Sequence, residues 1–142
     1  MFDFNFNWKP EMEVGVSIID EQHKELFRIA RNIEQLVITK CIGVQSKLLL
    51  DIVCDLREYV SYNNYVEATF MTEWNYSGKE EHIRQHDEFC KKIIGIDCKR
   101  LGQSPYKVLC EIKETIQDWV FAHILMEDKK MCQELKQKGY TN

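Results

Sequence analysis

The sequence predicts an all-α fold, an antiparallel up-down four-helix bundle preceded by an irregular N-terminal arm. Four long segments repeat apolar residues at helical spacing, and none alternates apolar and polar residues as a β-strand would. Both prolines, Pro10 and Pro105, lie where they interrupt none of these segments. Because 142 residues match the size of one ordinary domain, we predict a single domain over residues 1–142, with the arm at residues 1–17.

The first two helices are predicted at about residues 18–38 and 46–74. Ser17, with Asp20 three residues later, resembles a capping box and marks the start of the first helix. The inward stripe of this helix contains Ile19, His23, Leu26, Phe27, Ala30, Ile33 and Val37. After a break near Cys41, the stripe of the second helix contains Leu49, Ile52, Val53, Leu56, Val60, Asn63, Glu67, Phe70 and Met71. Both stripes therefore include polar side chains that an ordinary apolar core does not require.

The third and fourth helices are predicted at about residues 79–97 and 105–137. A turn at residues 75–78 precedes the third helix, whose stripe contains His82, His86, Phe89, Ile93 and Ile96. Ser104 followed by Pro105 starts the fourth helix, because proline is well tolerated at the first helical position. The stripe of the fourth helix contains Leu109, Ile112, Ile116, Trp119, Val120 and His123. Every predicted helix thus has at least one histidine or carboxylate on its inward face.

The composition excludes several classes of function. A net charge of −4, with acidic and basic residues interleaved, offers no basic surface for nucleic acid or an anionic membrane. No apolar run approaches the roughly 18 residues of a membrane span, and the first residues lack the pattern of a secretion signal. The six cysteines form no Cys-x-x-Cys pair, which indicates free thiols in a reducing compartment. We therefore expect a cytoplasmic protein that binds neither nucleic acid nor membranes.

All four histidines of the chain lie on the inward stripes. His82 and His86 are one helical turn apart, a spacing that lets two imidazoles bind one metal ion. His23 and His123 lie singly, and a lone histidine on an apolar stripe is more often a hydrogen-bonded core residue than a ligand. Glu67 requires a cation, because an unpaired buried carboxylate costs several kcal/mol and no lysine or arginine shares its stripe. The set as a whole predicts a metal site inside the bundle.

The donor types favour two metal ions. Four imidazoles with two carboxylates, Glu67 and an acid near His123, exceed what one tetrahedral zinc ion binds, and the chain has no thiolate pair. A two-metal site bridged by carboxylates fits better, with iron favoured over manganese and over a single metal ion. Ferritin-like di-iron proteins place a glutamate three residues before a histidine, which no histidine here has. The predicted centre is therefore rich in histidine and poor in carboxylate.

These residues and spacings resemble the hemerythrin family, in particular its single-domain bacterial members. The matching segments are Trp8 and residues 14–16, 19–26, 59–71, 82–89 and 119–128. The resemblance implies a non-haem di-iron centre that binds dioxygen. In such a centre His82, His86 and His123 would hold one iron, His23 would hold the other, and Glu67 and Asp128 would bridge the two irons together with an oxo or hydroxo group.

Helical spacing and the resemblance disagree on the second bridging carboxylate. Regular helix geometry favours Glu127, four residues after His123, since Asp128 one residue later is rotated about 140° away from the histidine. The histidine-to-aspartate spacing of the family selects Asp128. We adopt Asp128 on the resemblance alone.

The second helix departs from the family at two adjacent positions. The family motif has a histidine, a phenylalanine, two spacers and the glutamate, where this chain has Asn63, Asn64 and Glu67. By resemblance, the missing histidine belongs to the iron that binds dioxygen. An asparagine amide oxygen is a harder and weaker donor than an imidazole nitrogen. Asn63 therefore binds metal weakly, or water takes its place, or Tyr59 or Tyr62 reaches in.

Three classes of function stay open. An iron with fewer protein ligands admits water and peroxide more readily, so we expect binding of dioxygen, peroxide or nitric oxide with altered reversibility. The alternative is a peroxidase- or oxidase-like scavenger, which needs an electron donor that the sequence does not identify. A metal-storage or structural bundle is the third class. No catalytic residue is assigned.

Overall fold

The computed structural model describes residues 5–142 and contains helices but no β-strand in that range. After a 3-10 turn at Pro10–Met12, the elements are α1 (Ser17–Ile38), α2 (Ser46–Glu73), α3 (Lys79–Ile94), α4 (Cys98–Gln103), α5 (Pro105–Trp119), a π-helical segment (Val120–Asp128) and α6 (Lys129–Gln137). Helix α1 packs against α2 and α5, and α2 packs against α3. The predicted all-α bundle is confirmed, while residues 1–4 of the predicted arm lie outside the described range.

The fourth predicted helix consists of three parts in one rod. The π-helical segment joins α5 and α6 without a break, with helical backbone angles at Trp119 before it and Lys129 after it. Hydrogen bonds in a π-helix span five residues instead of four, so its turn is wider than that of an α-helix. This change of register could not be predicted from the spacing of apolar residues, and it affects the position of Asp128.

The third helix ends earlier than predicted, and a short helix follows it. Helix α3 ends at Ile94, three residues before the predicted end, and α4 occupies the segment expected to fray toward Gly102. The Asp97 carboxylate caps α4, since it accepts hydrogen bonds from the backbone N–H groups of Lys99 at 3.0 Å and Arg100 at 3.1 Å. A fully buried Leu101 anchors this short helix to the core.

The predicted capping box at Ser17 is wrong. Helix α1 begins at Ser17 itself, and no side chain caps its first turn. The Asp20 carboxylate instead accepts hydrogen bonds from the backbone N–H groups of Val14 at 2.8 Å and Gly15 at 3.1 Å. Asp20 therefore holds the N-terminal arm against the start of α1.

The described part of the arm is packed against α1. Phe6 is fully buried, and its backbone N–H donates to Oε1 of Glu34 at 2.9 Å. The rings of Phe6 and Trp8 both meet Phe27 edge-on, with centroids 5.6 and 5.3 Å away. The arm therefore covers the apolar end of the bundle core.

Two apolar clusters make up the interior. The larger includes Phe27, Leu56, Phe89, Leu109 and Ile116, and the smaller includes Val16, Ile19, Met71, Met131 and Leu135. Along the helices, the polar residues of the inward stripes lie between these two clusters. The fold thus encloses one polar layer between two apolar ones.

Two predictions made from the composition concern membrane-spanning segments and the state of the cysteines. Among the helices of residues 5–142, none combines the length and the apolar character of a transmembrane span. The six cysteines, all within residues 5–142, are free thiols, as predicted from their spacing.

Candidate metal centre

Five side chains from three parts of the bundle meet in the polar layer. One nitrogen or oxygen atom from each lies within 4.8 Å of all the others, and all five residues are buried. They are Glu67, His82, His86, His123 and Asp128. Glu67 comes from α2, the first two histidines from α3, and His123 and Asp128 from the π-helical segment.

Three imidazoles and two carboxylate oxygens surround one point, which we call the first position. Nε2 of His82 lies 2.7 Å and Nε2 of His86 3.1 Å from Oε1 of Glu67. Nε2 of His123 lies 2.8 Å and Nε2 of His82 3.0 Å from Oδ1 of Asp128. Oδ1 nevertheless makes no aligned hydrogen bond. Nε2 of His86 also lies 3.0 Å from Nε2 of His123, so the nitrogen and oxygen atoms converge on one small region, as ligands around a metal ion would.

The second oxygens of both carboxylates face another point, which we call the second position. Oδ2 of Asp128 lies 2.8 Å from Nε2 of His23 on α1. Oε2 of Glu67 accepts a hydrogen bond from the Asn63 side-chain amide at 2.7 Å. Because each carboxylate directs one oxygen to each position, both are placed as a bridge between two cations would require.

Asn63 is a hydrogen-bond donor in this arrangement. Its buried amide Nδ2 donates to Glu67 and also to Oε1 of Gln22 on α1, at 3.0 Å. Tyr62 does not reach in, since it is 56 % exposed. Tyr59 is buried, and burial with the nearby charge of Glu67 raises the pKa of its phenol well above the usual value, so it stays neutral. Of the expected replacements for the missing histidine, the described structure has Asn63 nearest to Glu67.

The π-helical segment brings Asp128 to the same side as His123. In this segment backbone hydrogen bonds span five residues, so residues five apart come to lie above one another. Asp128 is fully buried, whereas Glu127 is only half-buried and outside the cluster. The expectation of Glu127 from regular helix geometry was therefore wrong, because the helix is not regular there.

Two side-chain amides orient two of the histidines. Oδ1 of Asn64 lies 2.5 Å from Nδ1 of His86, and Oε1 of Gln85 lies 2.7 Å from Nδ1 of His123. An imidazole whose Nδ1–H donates to an oxygen keeps the lone pair of Nε2 free for a metal. Sequence analysis treated Asn64 only as a departure from a family motif and missed Gln85. The signal in the sequence is that each is an amide next to a residue of the inward stripe: Asn64 follows Asn63, and Gln85 precedes His86.

The protonation of the cluster indicates the place of a cation. Burial lowers the pKa of His82, but its close contacts with the carboxylates of Asp128 and Glu67 outweigh burial and raise that pKa to about 9. Burial also lowers the pKa of His23, but the hydrogen bond and charge of Asp128 outweigh burial, so that pKa is raised. At His123 burial prevails and the pKa is lowered. Although burial raises them, the pKa values of Glu67 and Asp128 lie below the ordinary ones, because imidazoles donate to both. Shared protons thus neutralise two buried carboxylates where metal ions would do the same.

The donor set fits metal ions better than it fits a structural core. Glu67 and Asp128 are both 0 % exposed, and the ion pairs that they make within the described residues are to histidines. Buried carboxylates are otherwise paired with cations or bound to metal. Imidazole and carboxylate together suit iron.

A surface groove leads toward the second position. It lies between α1 and α2, has a volume of about 460 Å³, and includes Ile18, Glu21, Gln22, Glu25, Asp55, Glu58, Tyr59 and Tyr62 in its lining. Gln22 is 6 % exposed and contacts Asn63, so one side chain links the groove to the second position. A second surface groove, of about 280 Å³, includes Gln85 and His123 in its lining and so leads to the first position.

The bundle and its buried histidines and carboxylates define a metal-binding helical protein. The sequence matches the Hemerythrin HHE cation binding domain over residues 14–135. The chain therefore belongs to the hemerythrin family. Family and cluster together indicate a non-haem di-iron protein of the oxygen-binding type.

Curated relatives agree with this family assignment. The chain is 28% identical to a bacteriohemerythrin of Clostridium acetobutylicum over 125 residues, which cover 88% of this chain and 97% of the relative. It is 27% identical to a hemerythrin-like protein of Naegleria gruberi over 88% of this chain and 89% of the relative. A bacteriohemerythrin of Aquifex aeolicus is 22% identical over 87% of this chain and 92% of the relative.

Proposed function

We propose that this protein binds dioxygen, or a related small ligand such as peroxide or nitric oxide, at the second position of a di-iron centre. We further propose that binding is less reversible than in family members that have a histidine at position 63. His82, His86 and His123 would hold the first iron and His23 the second. Glu67 and Asp128 would bridge them together with an oxo or hydroxo group.

The observation behind this proposal is the unequal supply of imidazoles. Nε2 atoms of His82, His86 and His123 face the first position, whereas His23 alone faces the second. Asn63, in place of a further imidazole, donates a hydrogen bond to Glu67. The second position therefore has more room for small ligands and holds its metal less firmly.

When bound, the irons would supply an open coordination position and a change of oxidation state. The protein would supply hydrogen bonds and access. The Asn63 amide already points toward the bridging carboxylate, and Nε2 of Gln22 is buried without a hydrogen-bond partner in the described part of the chain. Gln22 can donate to a negatively charged ligand, whereas both hydrogens of the Asn63 amide are already donated to Glu67 and Gln22. The groove between α1 and α2 would give such a ligand a path from solvent.

The second candidate is an enzyme that reduces peroxide or oxygen. The groove supports it, because water and peroxide would approach the second position along the same groove, through Gln22 in its lining. Such an enzyme also needs an electron donor. A carrier and a scavenger then differ in how long the bound ligand persists.

The test is to count iron per chain and follow the visible spectrum of the ferrous protein as oxygen and then peroxide are added. Two irons per chain, and an oxygen adduct that decays quickly to the ferric form, support the proposal. Turnover of peroxide during that decay favours the enzyme. An adduct that forms and dissociates through many cycles would contradict the altered reversibility, and Asn63→His should lengthen the lifetime of the adduct.

We also propose a single hemerythrin-like domain over residues 1–142 and a cytoplasmic location. The family match over residues 14–135 supports the first. Six free thiols support the second, since a reducing compartment keeps thiols free. The net charge of −4 is consistent with the absence of a nucleic-acid partner.

A further inference from the structure

We infer that the second position prefers a harder cation than the first and accepts Mn²⁺, an inference that rests on the two-metal function proposed above. Gln22 would then support the Asn63 amide in the orientation that directs its oxygen at that cation. The centre would then hold iron at the first position and manganese at the second wherever manganese is in excess.

The two positions differ in the kind of atoms around them. Three imidazole nitrogens and two carboxylate oxygens face the first position. One imidazole nitrogen, from His23, and the second oxygens of Glu67 and Asp128 face the second. Imidazole suits iron, whereas carboxylate, carbonyl oxygen and water suit manganese. Iron binds more tightly than manganese at most sites. We therefore expect the ratio of iron affinity to manganese affinity to be smaller at the second position than at the first.

Asn63 can supply a further oxygen if its amide turns over. Nδ2 now lies 2.7 Å from Oε2 of Glu67, and amide oxygen and nitrogen occupy nearly the same space. After a half-turn, Oδ1 would stand where Nδ2 is, beside a carboxylate oxygen. Two oxygens so close repel each other unless a cation binds both. A metal ion at the second position therefore favours the turned amide, and its absence favours the present one.

Gln22 is suited to support both orientations. Its Oε1 accepts from Asn63 at 3.0 Å, while its Nε2 is buried and has no hydrogen-bond partner among residues 5–142. A half-turn of the Gln22 amide puts Nε2 where it donates to the turned Oδ1 of Asn63. Glutamine is one of the few side chains that accept in one orientation and donate in the other. Gln22 is thus a positioning residue for Asn63.

This role separates two effects of one substitution. Gln22→Glu adds a negative charge near the second position, which by charge alone strengthens cation binding. An ionised glutamate cannot donate, however, and so holds the Asn63 amide with its nitrogen inward. We expect the second effect to win and manganese affinity at the second position to fall by about 10- to 100-fold, the usual effect of losing a residue that orients a metal ligand.

The experiment loads metal-free protein anaerobically with Fe²⁺ and a large excess of Mn²⁺, removes unbound metal, and measures both metals per chain together with the electron paramagnetic resonance of Mn²⁺. We expect one iron and one manganese in the natural protein, two irons in Asn63→His, and loss of manganese with retention of iron in Gln22→Glu. Gln35→Glu, which adds the same charge at an exposed position of α1, should bind manganese as the natural protein does. Thermal unfolding of the metal-free variants checks that each is folded.

Each other outcome counts against the inference. Two irons and no manganese in the natural protein would overturn the metal preference and leave the proposed di-iron function standing. Manganese retained by Gln22→Glu would overturn the role of Gln22. One metal per chain, with either metal supplied alone in excess, would overturn both the inference and the two-metal function on which it rests.

Discussion

The two halves of the centre are built in different ways. The first position lies between α3 and the π-helical segment. Asn64 and Gln85 orient two of its three histidines, whereas Nδ1 of the third, His82, has no hydrogen-bond partner within residues 5–142. The second position lies between α1 and α2, where Nδ1 of His23 has no hydrogen-bond partner within the described residues and Asn63 replaces a histidine. We therefore expect metal to bind more tightly at the first position than at the second.

This difference suggests that a single bridged centre can combine a fixed ion with a labile one. If both carboxylates bridge the two irons as proposed, the inequality comes from the neutral ligands and from the residues that orient them. In this chain those residues are side-chain amides on both sides. On the first side they accept from imidazoles, and on the second side an amide donates to a carboxylate.

The largest expected effect is the loss of a histidine on one side only. His123→Ala removes an imidazole from the first position, and we expect the iron there to be lost at micromolar iron, together with weaker binding at the second position through Asp128. His23→Ala should remove only the second iron and leave the first. Iron per chain after gel filtration measures both. Equal losses in the two variants would show that the halves are not independent.

Asn64→Leu tests the orientation of His86. Without the Asn64 oxygen 2.5 Å from Nδ1, the imidazole has no partner to fix its ring. We expect iron affinity at the first position to fall by about 10- to 100-fold, with the ligands of the second position untouched. Competition with a chelator measures the change, and Ser61→Ala at an exposed site of α2 is the control. Unchanged iron affinity would show that Asn64 does not strengthen metal binding by orienting His86, and would contradict the proposed difference between the two positions.

Asn63→Ala tests the hydrogen bonds of the second position without metal. The substitution leaves Oε2 of Glu67 and Oε1 of Gln22 without their donor. Leaving buried acceptors unpaired costs about 1–3 kcal/mol, and each kcal/mol lowers the melting temperature by roughly 2–4 °C in a domain of this size. Calorimetry of the metal-free variant gives the value. A melting temperature equal to that of the natural protein would show that Asn63 is not held as described.

The smallest expected effect is on the pH dependence of the metal-free protein. The pKa of His82 in the folded protein is about 9, above its ordinary value of 6.5. The stability that this histidine contributes is therefore fully present below pH 6.5 and is lost as the pH rises toward 9. Denaturant unfolding at several pH values should show this decline, and His82→Gln should flatten it. A stability that rises over that range would contradict the charge state assigned to His82.

Most of the fold and the identity of the stripe residues could be predicted from the sequence. Apolar residues at helical spacing are sufficient to place four helices, because burial of one face determines their packing. The early end of α3 and the short α4 were missed, since Asp97 and Leu101 form a local cap and anchor without a long repeat. The start of α1 was placed to within one residue. The Asp20 carboxylate, however, accepts hydrogen bonds from the backbone of the N-terminal arm and makes no capping box with Ser17.

The position of Asp128 shows what spacing alone could not give. Regular helix geometry pointed to Glu127, and only a π-helical turn, which depends on how the rod packs, brings Asp128 beside His123. The Gln22–Asn63 contact could not be predicted either. It joins two helices, and the pattern of apolar residues on each helix does not show how far one helix is shifted along the other. Sequence analysis therefore found which residues face inward, while the structure supplied their pairing.

The most direct test of the inequality is a titration of metal-free protein with Fe²⁺ under anaerobic conditions, with binding followed by calorimetry. We expect two separate binding steps whose affinities differ by at least about tenfold, as their ligand sets imply, and we expect Asn63→His to bring the two steps together. A single transition that binds two irons with equal affinity in the natural protein, unchanged by Asn63→His, would contradict the account.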